Sequence, residues 1–557
     1  MKLLPLLPLT LLFAHSTAAQ TAKSASTPKK DECSVAGMVV TLAGSDPLKR
    51  ATVTLLSTDD WTHSVTTTTD AGGRFELKRI GPGRYRLSVA RRGFVSQEYG
   101  QKTPSDPGSV LTLRPGQDVK DLLFRLVPSA VFAGRIVDED GEPLSLAEVS
   151  ALREVYSNGK RQLEPRTTVN TNDLGEFRLF GLAPGRYFVC ATHRRTDPFG
   201  RSDVRLSGDG TPEQGYAPTY YPGTADPSKA VALTIKAGEE IPSVEILVRP
   251  VNVFTVRGHV YNMLSKHSAA GTVVQLEPRN PSAMWNPRAS STNMEKPDGA
   301  FEIHDVLPGS YSVVAYWFDQ GQRYHARQVI EVGNADVEGI SLTVAPGVPV
   351  SGHVKWDGAP SLDRVGLAVR LESVDFQYSY GSTVHVMGGE FSLRELLEGE
   401  YRVSVTGTSP DCFVKSVRFG ATESLQDKFT VRRDVEADLE ITISSRGARV
   451  QGASADEEGL PASGVWAVLV PEEPRRSELR LYRASTTDQY GRFDLRGVAP
   501  GDYKLFSWKQ AEEGAWEDPD FLQPFESKGE KVSVQEGDAK SMDLVTIKTV
   551  STEQQKP

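Results

Sequence analysis

Cysteine is scarce in this chain of 557 residues. Only Cys33, Cys190 and Cys412 are present, odd in number and far apart. That excludes a disulfide framework and a compact thiolate metal site, so each folded unit must be held by its own core. An excess of basic charge is also missing. With 63 basic and 72 acidic residues, the net charge is −9. That balance offers no electrostatic footprint for nucleic acid or for an anionic membrane. Long apolar runs are confined to the start. Residues 3–14 are apolar, follow the charge of Lys2, and precede the small residues Ser16, Thr17, Ala18 and Ala19. This order reads as a secretory signal peptide over residues 1–19. It is too short for a transmembrane helix, which needs about 20 apolar residues; an uncleaved interfacial helix is the other reading. No cysteine follows closely enough to carry a lipid, and no later segment is apolar enough to span a bilayer. The expectation is an exported protein, periplasmic, cell-surface or extracellular, without a transmembrane segment.

Catalytic signatures are absent as well. The nine histidines are scattered, and none forms the two-His, one-Glu helical pattern of a zinc protease. His304, next to Ile303 on an alternating strand, is expected to face solvent. No Gly-x-Ser-x-Gly elbow and no phosphate-cradling Gly-rich loop occurs. The acidic run from Asp138 to Glu142 brings calcium to mind, but it is too short for a helix–loop–helix site, and Gly141 fits a hairpin turn. The acidic stretch from Glu512 to Asp520 reads as a solvated loop. The expectation is no enzyme activity, no metal and no cofactor.

What the chain does have is glycine, proline and a repeat. Gly and Pro number 49 and 35, which suits an all-β chain with many turns. Gly73-Arg74-Phe75 is followed by Gly83-Arg84-Tyr85, and the pattern returns at Phe177 and Tyr187, Phe301 and Tyr311, Phe391 and Tyr401, and Phe493 and Tyr503. Phe and Tyr are always ten residues apart, each preceded by Gly at the second position before it. Apolar residues sit two and five after each Phe, as Leu77 and Ile80 do, and two after each Tyr, as Leu87 does. Pro precedes the second Gly in four copies, while the fourth has Glu398. Alternation along a strand puts Phe and the residue two later on one face. The spacing predicts a hairpin-like pair of strands with both aromatics in one core. The first Gly supplies a positive-φ turn, helped by Asp70, Asp173, Asp298 or Asp488, and the Tyr hydroxyl reaches a backbone partner near the rim.

Each copy also has an upstream strand that starts with small residues, an acidic turn, a second strand, and a closing strand pair. Short strands with turns every 8–12 residues point to a β-sandwich. The order of a Gly-x-Val strand, the turn from Asp138 to Leu144, an Ala-x-Val strand, and then Gly-x-Phe and Pro-Gly-x-Tyr resembles the carboxypeptidase regulatory-like domain. That resemblance implies a transthyretin-like Greek-key sandwich, similar to the B-type repeats of bacterial surface adhesins and to starch-binding-like modules. It brings core and turn residues but no catalytic ones. The predicted architecture is all-β, a tandem array of five sandwiches over residues 32–128, 130–250 (with insertions), 252–346, 348–445 and 446–550. Five such units in line would span up to roughly 170 Å by globular scaling.

Two functions follow as expectations. One is a structural or adhesive scaffold for a protein partner. The alternative is a glycan-binding protein, with Tyr216, Tyr220 and Tyr221 in the second copy's insertion as the candidate ligand-binding residues, because rigid aromatics with polar tips suit stacking on sugars. The competing reading of the three is that they cover an edge of their own domain.

Overall fold

The structure, a computed structural model, describes residues 31–549 apart from 61, 105, 194–213, 263–270, 280–290, 294–297, 320–321, 362–365, 375–381, 424–427 and 436. The signal-peptide segment lies outside the described residues. The protein is all-β, with sheets that follow one another along the chain as tandem sandwiches. In domain 1 the strand Cys33–Thr41 pairs antiparallel with Arg74–Ile80 and parallel with Asp118–Leu126. The facing sheet joins Thr52–Ser57 to Ser64–Thr68 and to Gly83–Ala90. Domains 2, 4 and 5 repeat this two-sheet plan. In domain 3 the long hairpin of Gly309–Asp319 and Gln322–Val332 links both halves into one seven-stranded sheet. Each domain owns a separate apolar cluster, and the repeat residues lie in it: Phe75, Leu77, Ile80, Tyr85 and Leu87 in the first, and their counterparts in the other four.

The Phe and Tyr strands are not hairpin partners. In all five copies the Phe strand pairs with the first strand of its domain and the Tyr strand with the second. The aromatics therefore meet across the sandwich, not side by side. A bulge explains the crossing. The register shifts between Cys33 opposite Ile80 and Val35 opposite Leu77, and Arg79 takes a left-handed φ of 59°. Gly181, Asp305 and Gly497 hold the same position with φ of 80°, 58° and 62°. A bulge bends its strand and adds twist, and only two residues then separate Ile80 from Gly83, so the chain passes to the opposite sheet. Period-2 alternation is blind to this, because it reports which face is buried and not which strand is adjacent.

The tyrosine does what its spacing implies. Each hydroxyl donates to the carbonyl four residues upstream: Tyr85 to Gly81 at 2.8 Å, Tyr187 to Ala183 at 2.9 Å, Tyr311 to Leu307 at 2.9 Å, Tyr401 to Leu397 at 3.0 Å and Tyr503 to Ala499 at 2.8 Å. This is a tyrosine corner. It explains the Gly two residues before the Tyr, since a Cβ on Gly309 would lie 3.3 Å from the ring of Tyr311. The Gly before each Phe has φ between 70° and 88°. Its turn is tied by Asp70 and Asp488 in copies one and five, and in copy two by Asn172 instead of Asp173. A further Gly is fixed by close approach. A Cβ on Gly134 would sit 1.8 Å from the Val244 carbonyl oxygen, where the last strand comes in parallel.

The domains do not lie in line. The chain doubles back so that domain 5 docks on domains 1 and 2 while remaining joined to domain 4. Between domains 4 and 5, Glu536 takes Lys415 at 3.1 Å, and Arg480 donates to the Val414 carbonyl at 2.7 Å. Between domains 1 and 5, Gln489 and the Thr112 backbone exchange hydrogen bonds of 3.0 and 2.8 Å. Arg114 lies over the ring of Tyr490. The span that five units in line would have is therefore not reached. Polar side chains at the turns of domains 1 and 5 pair across the sequence, and linker length alone does not reveal that.

Candidate functional site

Two insertions reach toward each other. In domain 2 the strands Glu148–Ser157 and Lys160–Asn170 extend the hairpin beyond its sandwich, turning at Asn158 and Gly159 with φ of 50° and 71°. Two successive positive φ values match the twist of a two-residue hairpin. In domain 5 the segment predicted to be a solvated loop folds into short helical turns over Ala515–Glu517, Pro519–Leu522 and Gln523–Lys528. It covers the outer face of its sheet. Trp516 is 4% exposed and stacks on Trp508, which stacks on Phe506. The acidic residues hid the apolar partners: Trp466, Trp508 and Tyr482 offer an aromatic surface that burying Trp516 and Leu522 satisfies. The hairpin meets this cap, with Tyr156 edge-on to Phe521 at 6.2 Å and the Gly159 Cα against the Glu517 carbonyl.

Domain 1 closes the third side and leaves a cleft of about 720 Å³. Arg86 and Glu98 come from domain 1, Arg153, Tyr156 and Arg166 from domain 2, and Trp466 and Glu512 from domain 5. Arg86 is paired with Glu98 at 2.9 Å. Burial raises the Tyr156 hydroxyl above its ordinary value, opposed by the hydrogen bond from Arg161 at 2.7 Å. Asp494 anchors domain 5 to domain 1. It accepts from Arg449 at 2.6 and 3.0 Å, from Arg496 at 2.8 Å and from Arg84 of domain 1 at 3.1 Å. Burial works to raise its carboxyl, yet the hydrogen bond from Arg449 and the charges of Arg496 and Arg84 hold it below the usual carboxylate range.

The predicted tyrosines lie elsewhere, and none lines this cleft. Tyr220 is 3% exposed, packed with Leu152, Phe188 and Cys190, and burial pushes its hydroxyl far above the ordinary value. Tyr216 and Tyr221 are half-buried against the core of domain 2, and Tyr216 faces His193 at 5.6 Å. As placed, the three seal the domain edge. His304 is also more covered than expected, at 16% side-chain exposure, hydrogen-bonded to Thr255 at 3.1 Å. The Asp138 side chain ties its own turn, accepting from the backbones of Asp140 and Glu142 at 3.0 and 2.9 Å. Among the described residues no group of three His, Cys, Asp or Glu could hold a metal ion. The three thiols are free and buried, and burial pushes Cys190 well above its usual value, away from a reactive thiolate. Cations, carboxylates and aromatics lining one cleft can recognise a surface.

Residues 34–127 and 131–217 match the family model of the carboxypeptidase regulatory-like domain. Over those residues domains 1 and 2 are similar to that domain. No curated protein matches the chain. Among solved structures the chain is similar to the streptococcal ancillary pilin, at 13% identity over 57% of this chain and 100% of that one, with a TM-score of 0.19. It is similar to the minor pilin of Streptococcus agalactiae, at 14% identity over 40% of this chain and 96% of the other, TM-score 0.22. It is also similar to two B repeat units of the collagen binding protein of Staphylococcus aureus, at 12% identity over 74% and 100%, TM-score 0.12. No described helix is long and apolar enough to cross a membrane.

Proposed function

We propose that this protein is an exported, non-enzymatic scaffold that binds a protein partner outside the cytoplasm, with the cleft between domains 1, 2 and 5 as its recognition surface. The observation that carries the reading is the composition of that cleft: Arg86, Arg153, Arg166, Tyr156 and Trp466 converge from three domains. Arg, Tyr and Trp are the residue types that dominate binding energy at protein interfaces. A tandem array in which each domain has its own core holds such a surface at fixed geometry without catalytic parts. Tyr156 sits on a hairpin that reaches the domain 5 cap, so the docking of the domains holds it at the rim of the cleft.

The test is fractionation of the producing cell followed by crosslinking and pull-down with the mature chain. The expected result is an envelope or extracellular protein captured by the native chain and lost with Arg153→Ala/Arg166→Ala. Capture that ignores those substitutions, or a cytoplasmic location, contradicts the reading. Glycan binding is the alternative outcome. It would show as array binding by the mature chain that Tyr216→Ala/Tyr221→Ala removes.

A further inference from the structure

Domains 3 and 4 meet at a small joint built around one histidine. The strand Gln322–Val332 pairs near its start with the end of Val337–Pro346, Tyr324 opposite Pro346 and His325 opposite Ala345. The chain then crosses into domain 4 at Gly347, where a Cβ would lie 2.5 Å from the Glu395 Cα. Val314 and Tyr316 of domain 3 pack on Leu397 of domain 4. Arg433 of domain 4 donates to the Pro346 carbonyl at 3.0 Å, and Arg323 of domain 3 pairs with Glu395 at 3.7 Å. So few apolar groups leave the joint sensitive to a change in charge.

His325 is 5% exposed, and its Nε2 is buried without a hydrogen-bond partner. On its own strand, Arg323 and Arg327 lie two residues to either side on the same face, and Arg327 donates to the Ser312 hydroxyl at 3.1 Å. Tyr316 stands opposite on the neighbouring strand, its hydroxyl donating to Gln275 at 2.6 Å. Domain 4 brings Arg433, Glu395, Glu398 and the Leu396 backbone to the same joint. Glu398 also accepts from the Arg433 backbone at 2.8 Å. Burial first, then the charges of Arg433 and Arg323, push the imidazole from its ordinary 6.5 down to about 4, against the pull of the Leu396 backbone and Glu398. A proton on this ring puts a buried positive charge beside two guanidinium groups and leaves its Nε2–H unpaired. Burial of a charge in that state is strongly unfavourable.

We propose that the joint between domains 3 and 4 is an acid-released hinge, shut while His325 is neutral and opened when its ring takes up a proton, with both domains staying folded. In the open joint the ring stands in water and keeps its ordinary value. The closed value lies below it, so closure is at full strength above about pH 6.5 and is lost as pH falls toward 4. Glu277, on the same face of domain 3, has its folded value raised instead, so unfolding of domain 3 moves the other way over this range. The hinge does not depend on which partner the cleft takes.

The test uses the full mature chain carrying Leu397→Cys, whose thiol would be covered by Val314 in the closed joint; the native thiols are buried. The rate of maleimide labelling, divided by that of glutathione at the same pH and corrected for the chain without the added cysteine, reports opening. This ratio should rise tenfold or more from pH 7 to pH 5 and level off below about pH 4. His325→Gln, which cannot gain the charge, should flatten the rise, and His325→Phe should do so as well should the first variant disturb folding. A ratio that does not change with pH, or a rise that persists in both variants, overturns the proposal. A rise accompanied by a red shift of tryptophan emission also overturns it, because Trp317 and Trp356 pack against the cores of domains 3 and 4 and would report unfolding.

Discussion

Removing one oxygen atom tests the tyrosine corner. Tyr503 is 1% exposed, and its hydroxyl donates to the Ala499 carbonyl at 2.8 Å. Tyr503→Phe keeps the ring in the core and strips the donor, leaving a buried acceptor unpaired. A buried unsatisfied group costs about 1–3 kcal/mol. For a domain of about 100 residues, 1 kcal/mol shifts the melting midpoint by roughly 4–8 °C, so domain 5 should melt several degrees or more below its native midpoint. Three of the seven tryptophans, Trp466, Trp508 and Trp516, belong to domain 5 and are buried, so emission at long wavelength reports its unfolding. The substitution can be walked through the copies. Tyr401 and Tyr187, 0% and 1% exposed, should respond like Tyr503, while Tyr311, which is only partly buried, should respond less. Equal shifts at all five positions, or none at Tyr503, would refute the reasoning that burial sets the cost.

Other consequences can be checked the same way. Gly134→Ala places a methyl 1.8 Å from the Val244 carbonyl oxygen; overpacking of this kind costs about 1–3 kcal/mol or more, so domain 2 should become the first to unfold in urea, and an unchanged urea curve counts against it. Glu277 is buried in domain 3, and burial pushes its carboxyl up to about 7. Its folded value lies above the unfolded one, so stability falls as pH rises from about 4 through 7; Glu277→Gln should raise the domain 3 midpoint at pH 8 and change it little at pH 4. Asp494 has the opposite sign. Its carboxyl is held low in the folded chain, so the docking it supports is present at neutral pH and lost as pH falls through its folded value, below about 4. Asp494→Asn should mimic that loss at neutral pH, seen as an increased radius of gyration in solution scattering.

Much of the fold was legible because the repeat was written in core and turn residues. Phe, Leu, Tyr and Val at fixed offsets had to share a core, and Gly before each Phe had to take positive φ. The crossing between sheets was not legible, since the bulge is carried by Arg79, Gly181, Asp305 and Gly497, four positions with little chemistry in common. The cleft was least legible. Its walls are contributed by domains far apart in sequence, and the acidic stretch around Trp516 resembled a loop because its apolar counterpart lay fifty residues upstream at Trp466. The tyrosines of the insertion drew attention by composition, and the structure packs them onto their own domain. Contacts between repeats leave no periodic trace, so they were invisible to an argument built on period.

The docking of domain 5 on domain 1 is the claim on which cleft and function both depend. Thr112→Cys with Gln489→Cys tests it most directly, because these residues exchange hydrogen bonds across 377 positions of sequence and the native thiols are buried. Treatment with a short thiol crosslinker should produce a single-chain product that migrates faster on a denaturing gel. Failure to link within one chain, or linkage only between two chains, would show an open string of domains and contradict the account.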